Sequence, residues 1–281
     1  MIIEDRVIAF EYLRDYFINI KNKDCFHGIC KEAYSNNNWF TKDNIEYAFL
    51  ALASMLDGNA ISQFISSYNT ATHSRRIGVI VPSNIPLVGF YDFLCVLLTG
   101  NIFVGKLSIS NNILLPFVSN ILCDFNTEFK KYIFFKDNLK DVELLIATGS
   151  DNAAHYFHYT YLSIKKIVRQ HRISCGVISG LEKQDDYERL SHDIYRYFGL
   201  GCRSVSKLFI PKKLDIHKLR ELFYDVFQLS SHKDYIDNYN YQKSLCLMQN
   251  IDVIDCDRLL LVESSDIYPP ISVVYYEYYD D

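Results

Sequence analysis

One cysteine lies in a context that suits a nucleophile. Cys202 is part of Gly199-Leu-Gly-Cys-Arg, a loop that the pattern places between a helix and a strand. Glycines let a backbone approach a substrate closely, and the adjacent Arg203 favours the reactive thiolate. A lone cysteine in a glycine-rich turn is, however, more often a small, buried and inert side chain. The local sequence alone leaves both interpretations open.

Polar side chains also follow two predicted strands. Asn84 lies in Pro82-Ser-Asn-Ile-Pro, Lys106 ends the next predicted strand along the chain, and Ser108 follows it. Because ligands bind outside the carboxyl ends of strands in open α/β sheets, the Asn84 amide could stabilise an oxyanion there. The ammonium and hydroxyl could contact a ribose or phosphate. A turn-forming asparagine and a solvated lysine explain these residues equally well.

A third turn combines glycine with hydroxyl side chains. Thr148, Gly149 and Ser150 follow the apolar run 142–147 and precede a helical segment. Such a turn suits a cofactor phosphate, because the N–H groups at a helix N-terminus attract anions. The common fingerprints of dinucleotide-binding proteins, P-loop proteins and serine hydrolases are absent from the sequence. A nicotinamide cofactor would therefore use another loop design.

No grouping of histidines and cysteines predicts a metal site. His155 and His158 lie one helical turn apart without further ligands, and Cys25 with Cys30 lacks a second ligand pair. The eight cysteines are scattered singly over a chain without a secretion signal. We therefore expect reduced thiols and no metal.

The elements that must position these residues alternate between β and α. Apolar runs typical of strands begin near residues 77, 101, 131 and 142, and helical or turn segments separate them. This order predicts an α/β fold with a parallel sheet. Residues 1–70 have the pattern of amphipathic helices, and a further unit begins near residue 170. The predicted divisions are therefore 1–70, 71–170 and 171–281.

The composition excludes several classes of protein. The chain of 281 residues is 49% hydrophobic and carries a formal net charge of -5 at pH 7, which suits a globular protein. Scattered lysines and arginines predict no nucleic-acid partner. The apolar runs stop well before the roughly 20 residues of a membrane span. The chain lacks a signal-peptide pattern, so we expect a cytoplasmic protein.

Four motifs, taken in order, resemble one known family. They are Val81-Pro-Ser-Asn-Ile-Pro, Val104-Gly-Lys-Leu-Ser, Ala147-Thr-Gly-Ser-Asp-Asn and Tyr197-Phe-Gly-Leu-Gly-Cys-Arg-Ser-Val-Ser-Lys. Together they resemble the acyl-CoA reductases related to the luminescence reductase LuxC, a branch of the aldehyde dehydrogenase superfamily. The resemblance runs from about Arg76 to the end of the chain. It makes a nucleophile the favoured interpretation of Cys202.

The resemblance implies a fold and a reaction. It implies an aldehyde dehydrogenase-like α/β fold, with a cofactor domain at 71–170 and a catalytic domain at 171–281. The implied reaction is NADPH-dependent reduction of a long-chain acyl-CoA thioester to an aldehyde. Cys202 would form the thioacyl intermediate, while Asn84 and the Cys202 N–H would stabilise the oxyanion. A homo-oligomer or an acyl-transferring partner protein is compatible with this function.

The resemblance also implies a cofactor site. Lys106 and Ser108 match the position that holds the adenosine ribose, and residues 148–150 match the turn near the cofactor phosphates. Two departures bear on the activity. The segment 171–180 lacks the general-base glutamate of hydrolytic aldehyde dehydrogenases, which favours thioester reduction over acid formation.

The second departure is the end of the chain at Asp281, which is earlier than the family pattern and predicts an incomplete catalytic domain. Two alternatives to the reductase therefore stay open. One is a non-catalytic or truncated subunit with this fold, and the other is an NAD(P)-dependent aldehyde dehydrogenase.

Overall fold

A computed structural model describes residues 1–68, 73–170, 172–222 and 232–280. The chain forms two compact units, Met1–His171 and Arg172–Asp281, and each contains a sheet of its own. His171 and Asp281, which mark predicted boundaries, lie outside the described residues.

The first unit begins with helices, as the sequence pattern predicts. Their bounds are α1 (Ile3–Ile18), α2 (Cys25–Asn36), α3 (Lys42–Ala53) and α4 (Gly58–Ser66). The Thr41 side chain accepts a hydrogen bond from the Asn44 N–H at 3.3 Å and thereby caps α3. Phe17 on α1 packs edge to face against Phe49 on α3, with 4.9 Å between ring centroids. Apolar contact of this kind joins the helices into one layer.

A parallel sheet follows, built from strands that alternate with helices. The strands are β1 (Arg76–Ile80), β2 (Ile102–Lys106), β3 (Ile133–Phe135), β4 (Leu144–Thr148) and β5 (Lys165–Arg169). The helices are α5 (Phe90–Leu98), α6 (Leu114–Phe125) and α7 (Asp151–Thr160). The strand order is β3-β2-β1-β4-β5, and every pairing is parallel. The order reverses at β1, which places a topological switch point between the loops after β1 and β4.

The sequence pattern predicts four of these strands and misses β5. The central residues of β1, β2 and β4 are buried, which explains their apolar runs. By contrast, β5 begins with Lys165 and Lys166 and lies at the sheet edge, where its pattern of burial is irregular. Charged residues are common on edge strands because they prevent further pairing.

The second unit contains a mixed sheet. Its strands are β6 (Ser174–Val177), β7 (Val205–Pro211), β8 (Val253–Asp255), β9 (Leu260–Glu263) and β10 (Val273–Tyr279). Its helices are α8 (Gln184–Tyr195), α9 (His217–Leu222) and α10 (Lys233–Met248). The order is β6-β7-β10-β9-β8, with β8 antiparallel to β9 and the other pairings parallel. The strand near the end of the chain is therefore in the middle of the sheet.

One predicted helix is wrong at its C-terminal end. The sequence predicts a helix from Tyr187 to Phe198, but α8 ends at Tyr195. The backbone then becomes left-handed at Tyr197 and Phe198, which the apolar periodicity does not indicate.

Within the described ranges, no single helix has the length and apolar composition to cross a membrane. The helices α3 and α4 have this length and composition only when taken together, and a bend of 60° separates them. The inward residues Ile45, Phe49 and Ile61 of this pair are buried in the protein core.

Candidate functional site

The first unit brings its predicted site residues to one edge of the sheet. β1 lies between β2 and β4, with Ile80 in register with both Lys106 and Ala147. The loops after these three strands therefore begin side by side. The strand ends and these loops contain the candidate residues Asn84, Lys106, Ser108, Thr148, Gly149 and Ser150.

Hydrogen bonds from two other asparagines hold the loop that contains Asn84. The side-chain amide of Asn111 donates to the Pro82 carbonyl at 2.6 Å, and that of Asn37 donates to the Ser83 carbonyl at 2.9 Å. The Val81 N–H donates to the Lys106 carbonyl at 3.0 Å, which continues the β1–β2 ladder. The half-buried Asn84 thus lies in a loop with fixed backbone carbonyls. No local sequence pattern indicates these roles of Asn37 and Asn111.

The loop after β2 offers a cation and hydroxyl groups. Lys106 and Ser108 are half-buried, and the Ser108 and Ser110 hydroxyls are 3.1 Å apart. Ile109 between them is 88% exposed. No acidic residue occurs from Ile102 to Cys123. The arrangement suits an anionic or hydroxyl-bearing ligand rather than a cation.

The turn after β4 presents a helix N-terminus. Ser150 caps α7 by accepting a hydrogen bond from the Ala153 N–H at 3.4 Å, and the Gly149 N–H donates to the Arg169 carbonyl at 3.1 Å. A Cβ at Gly149 would lie 2.8 Å from the Ala153 Cβ. The turn therefore requires glycine, because a side chain would push the helix start away from the strand.

An ion pair that no local sequence pattern indicates stabilises the same edge of the sheet. Arg169 ends β5 and contacts Asp92, in the first turn of α5, through its two terminal guanidinium nitrogens at 2.8 and 2.9 Å. Such bidentate pairs are strong and directional. Since the Arg169 carbonyl also accepts from Gly149, this residue connects α5, which follows the Asn84 loop, with the turn after β4. Its partner is distant in sequence, so no local pattern could reveal it.

Cys202 lies in the second unit, in the turn that leads into β7. Its side chain is exposed, and the Ser204 N–H donates to the Gly201 carbonyl at 2.9 Å. Shortly before it, Tyr197, Phe198 and Gly199 have φ values of 55°, 59° and 74°. Left-handed backbone costs L-residues about 1 to 2 kcal/mol each, and such strain is concentrated at functional sites.

The cysteines differ in their access to solvent. Cys25, Cys175 and Cys202 are exposed, whereas burial raises the pKa of Cys30 to about 11 and that of Cys256 to about 12. A raised pKa keeps a thiol protonated and poorly nucleophilic at neutral pH. Burial also raises the pKa of the thiols Cys95, Cys123 and Cys246. The exposed cysteines are therefore the better candidates for covalent chemistry.

A buried lysine organises the sheet of the second unit. Lys207 on β7 has a side chain that is 0% exposed, and its ammonium lies 2.6 Å from the Glu277 carboxylate on β10. The ammonium also donates to the Ser264 and Asp266 carbonyls after β9. These three contacts compensate the buried charge of Lys207 and connect β7, β10 and the segment after β9. The sequence motif includes Lys207 without indicating its burial.

Within the described residues, no group of three or more His, Cys, Asp or Glu side chains could hold a metal ion.

The fold is that of the aldehyde dehydrogenases. The chain is 12% identical to aldehyde dehydrogenase 21 of Physcomitrella patens, solved with succinate, with a TM-score of 0.74. It is 9% identical to an aldehyde dehydrogenase C variant of Pseudomonas syringae, solved with NAD+ and octanal, with a TM-score of 0.72. The matches cover 100% of this chain and 69% and 68% of those chains, respectively. The predicted fold class is thereby confirmed.

The family is also established. Residues 38–233 match the family model described as Acyl-CoA reductase (LuxC), which is more than half of the chain. The protein therefore belongs to the acyl-CoA reductase (LuxC) family and is an oxidoreductase, as the resemblance of its motifs implies. No curated protein matches the sequence significantly.

Proposed function

We propose that the protein reduces an acyl-CoA thioester to an aldehyde with NADPH, through a thioacyl intermediate on Cys202. The observation that carries the proposal is the exposed Cys202 thiol, which follows a strained turn inside the segment that matches the reductase family. Both the Asn84 loop and Cys202 fall within residues 38–233.

The Cys202 sulfur attacks the thioester carbonyl, and the bond between that carbon and the sulfur of coenzyme A breaks. Coenzyme A leaves as a thiolate that takes up a proton, while the acyl group stays on Cys202. Bound NADPH would supply the hydride that reduces the acyl carbon. The bond to the Cys202 sulfur then breaks, and the aldehyde leaves. The Asn84 amide and the Cys202 N–H are assigned to the oxyanion in both steps.

The loops of the first unit fit a phosphorylated dinucleotide. Thr148, Gly149 and Ser150 are assigned to its phosphates, because Gly149 permits close approach at the N-terminus of α7. Lys106 and Ser108 are assigned to the adenosine ribose. NAD enzymes bind the ribose 2′-hydroxyl with an acidic residue, whereas the loop after β2 offers an ammonium and hydroxyls. These groups favour the 2′-phosphate of NADPH.

Oxidation of an aldehyde to an acid is the enzymatic alternative, and it needs a base that activates water. The described residues 172–180 contain no carboxylate. The nearby Glu182 carboxylate accepts hydrogen bonds from the Ser179 N–H at 2.7 Å and the Gly180 N–H at 2.9 Å. Burial raises the pKa of Glu182, but these hydrogen bonds outweigh it and the net pKa is lowered. A carboxylate held in this way is a poor base.

The test is the intact mass of the protein after mixing with palmitoyl-CoA. We expect one acyl adduct on the wild type and one on Cys175→Ala. The Cys175→Ala variant lacks the other exposed thiol of the second unit and is the control. Cys202→Ala should form none. Addition of NADPH should discharge the adduct as aldehyde.

Two results would overturn the proposal. A folded wild-type protein that forms no adduct would favour a non-catalytic subunit, and discharge as fatty acid would favour an aldehyde dehydrogenase. Binding of NADPH in the first case would show that the dinucleotide site is retained without turnover.

A further inference from the structure

Three successive residues before Cys202 are left-handed. This left-handed turn, Tyr197–Gly199, includes two aromatic residues with φ values of 55° and 59° before the glycine at 74°. L-residues avoid this region because the Cβ approaches the following carbonyl oxygen. A run of this kind persists only where the surrounding structure holds it in place. The contacts of the turn therefore indicate what fixes it.

The Phe198 ring makes one of the contacts of the left-handed turn. Phe198 is 6% exposed, and its ring centroid lies 4.4 Å from that of His232 and 5.9 Å from that of Tyr235. His232 in turn caps α10, because its Nδ1 accepts a hydrogen bond from the Tyr235 N–H at 3.3 Å. Phe198 thus anchors the turn to the capped start of α10.

Hydrogen bonds close the turn on both sides. The Arg196 N–H donates to the His192 carbonyl and ends α8, while the Leu200 N–H donates to the Tyr197 carbonyl at 3.1 Å. The chain then reaches Cys202 after Gly201 and enters β7 at Val205. The segment that carries the thiol is therefore short, with the Phe198 anchor at one end and a strand at the other.

We propose that Phe198 is a positioning residue, whose buried ring fixes the left-handed turn and thereby the direction in which Cys202 meets a thioester carbonyl. The inference rests on the proposed function of Cys202 and adds a residue that does not touch the substrate. Attack on a carbonyl depends steeply on alignment, whereas access of a small reagent depends on exposure alone. Loss of the ring should therefore slow acylation far more than alkylation of the same sulfur.

The experiment compares two reactions at Cys202 in Phe198→Leu. We expect acylation by palmitoyl-CoA to slow by about tenfold or more, while the rate of alkylation by iodoacetamide changes by less than about twofold. Cys256, which is buried in the same unit, should resist alkylation in the folded variant, so its alkylation rate reports whether the unit is still folded. Phe209→Leu, on β7, is the matched control and should leave both rates at Cys202 unchanged.

A second variant keeps the test decisive if Phe198→Leu fails to fold. Gly199→Ala places a Cβ at a positive φ, 3.4 Å from the Ile194 carbonyl oxygen, and should slow acylation in the same way without removing the ring. Equal losses in acylation and alkylation, or no loss in acylation, would overturn the positioning role. A wild type that is alkylated at Cys202 but never acylated would overturn the proposed function, and this inference with it.

Discussion

In the first unit, Asn84, Lys106 and Gly149 lie at or after the ends of three strands that are in register at one edge of a parallel sheet. In the second unit, Cys202 follows a turn whose backbone is left-handed at three successive residues. The first arrangement uses regular geometry at the strand ends, and the loop that contains Asn84 has a single left-handed L-residue, Leu87, with φ of 56°. The second stores strain that buried contacts must offset. Sheet topology alone brings the candidate ligand-binding residues of the first unit to one edge. The orientation of the Cys202 thiol, by contrast, depends on a backbone conformation that neighbouring side chains must hold in place.

The ion pairs Arg169–Asp92 and Lys207–Glu277, one in each unit, also differ in burial. Arg169 in the first unit is 31% exposed and pairs with the less exposed Asp92. Lys207 in the second unit is 0% exposed and contacts two backbone carbonyls in addition to Glu277. Water can reach the first cation but not the second. The pair in the second unit therefore depends more strongly on its cation.

The largest expected effect follows from this dependence. Lys207→Met should lower the free energy of unfolding by about 2 to 3 kcal/mol, because it leaves two carbonyls and a carboxylate without their ammonium. Urea denaturation would measure the loss. Lys212→Met is the control, since the Lys212 pair with Asp280 is exposed and should contribute nothing measurable. Equal stability of the two variants would show that burial of Lys207 is unimportant.

A smaller effect is expected on dinucleotide binding by the first unit. Lys106→Ala should weaken NADPH binding about tenfold, or about 1.4 kcal/mol, while NADH binding changes little, since only NADPH carries the 2′-phosphate. Fluorescence titration of each dinucleotide would measure both. Lys136→Ala removes the lysine that follows the neighbouring strand β3 and should change neither affinity. A similar loss for NADPH and NADH would contradict contact with the 2′-phosphate.

The smallest effect measures the strain itself. Tyr197→Gly should be more stable than Tyr197→Ala by about 1 kcal/mol, because both remove the ring but only alanine keeps a Cβ at a positive φ. Thermal denaturation of the pair would measure the difference. At Leu200, where φ is -79°, the order should reverse and alanine should be the more stable. If Tyr197→Ala were more stable than Tyr197→Gly, the turn would be unstrained at this position.

Much of the first unit was predictable. Buried parallel strands have continuous apolar runs, so β1, β2 and β4 were recognisable, and the turn residues directly after them marked one sheet edge. The edge strand β5 escaped because its charged residues do not follow a strand pattern. With β5 unrecognised, the pair between Arg169 and Asp92 was also invisible.

The sequence by itself determined the alternation of strands and helices, the motifs at the strand ends and the family to which they belong. Those features depend on local pattern and on the fixed handedness of β-α-β connections. Only the tertiary structure decided where α8 ends, how Phe198 anchors the left-handed turn and which carbonyls surround Lys207. These features depend on contacts between residues far apart in the chain, and such contacts override the local preference for a right-handed backbone.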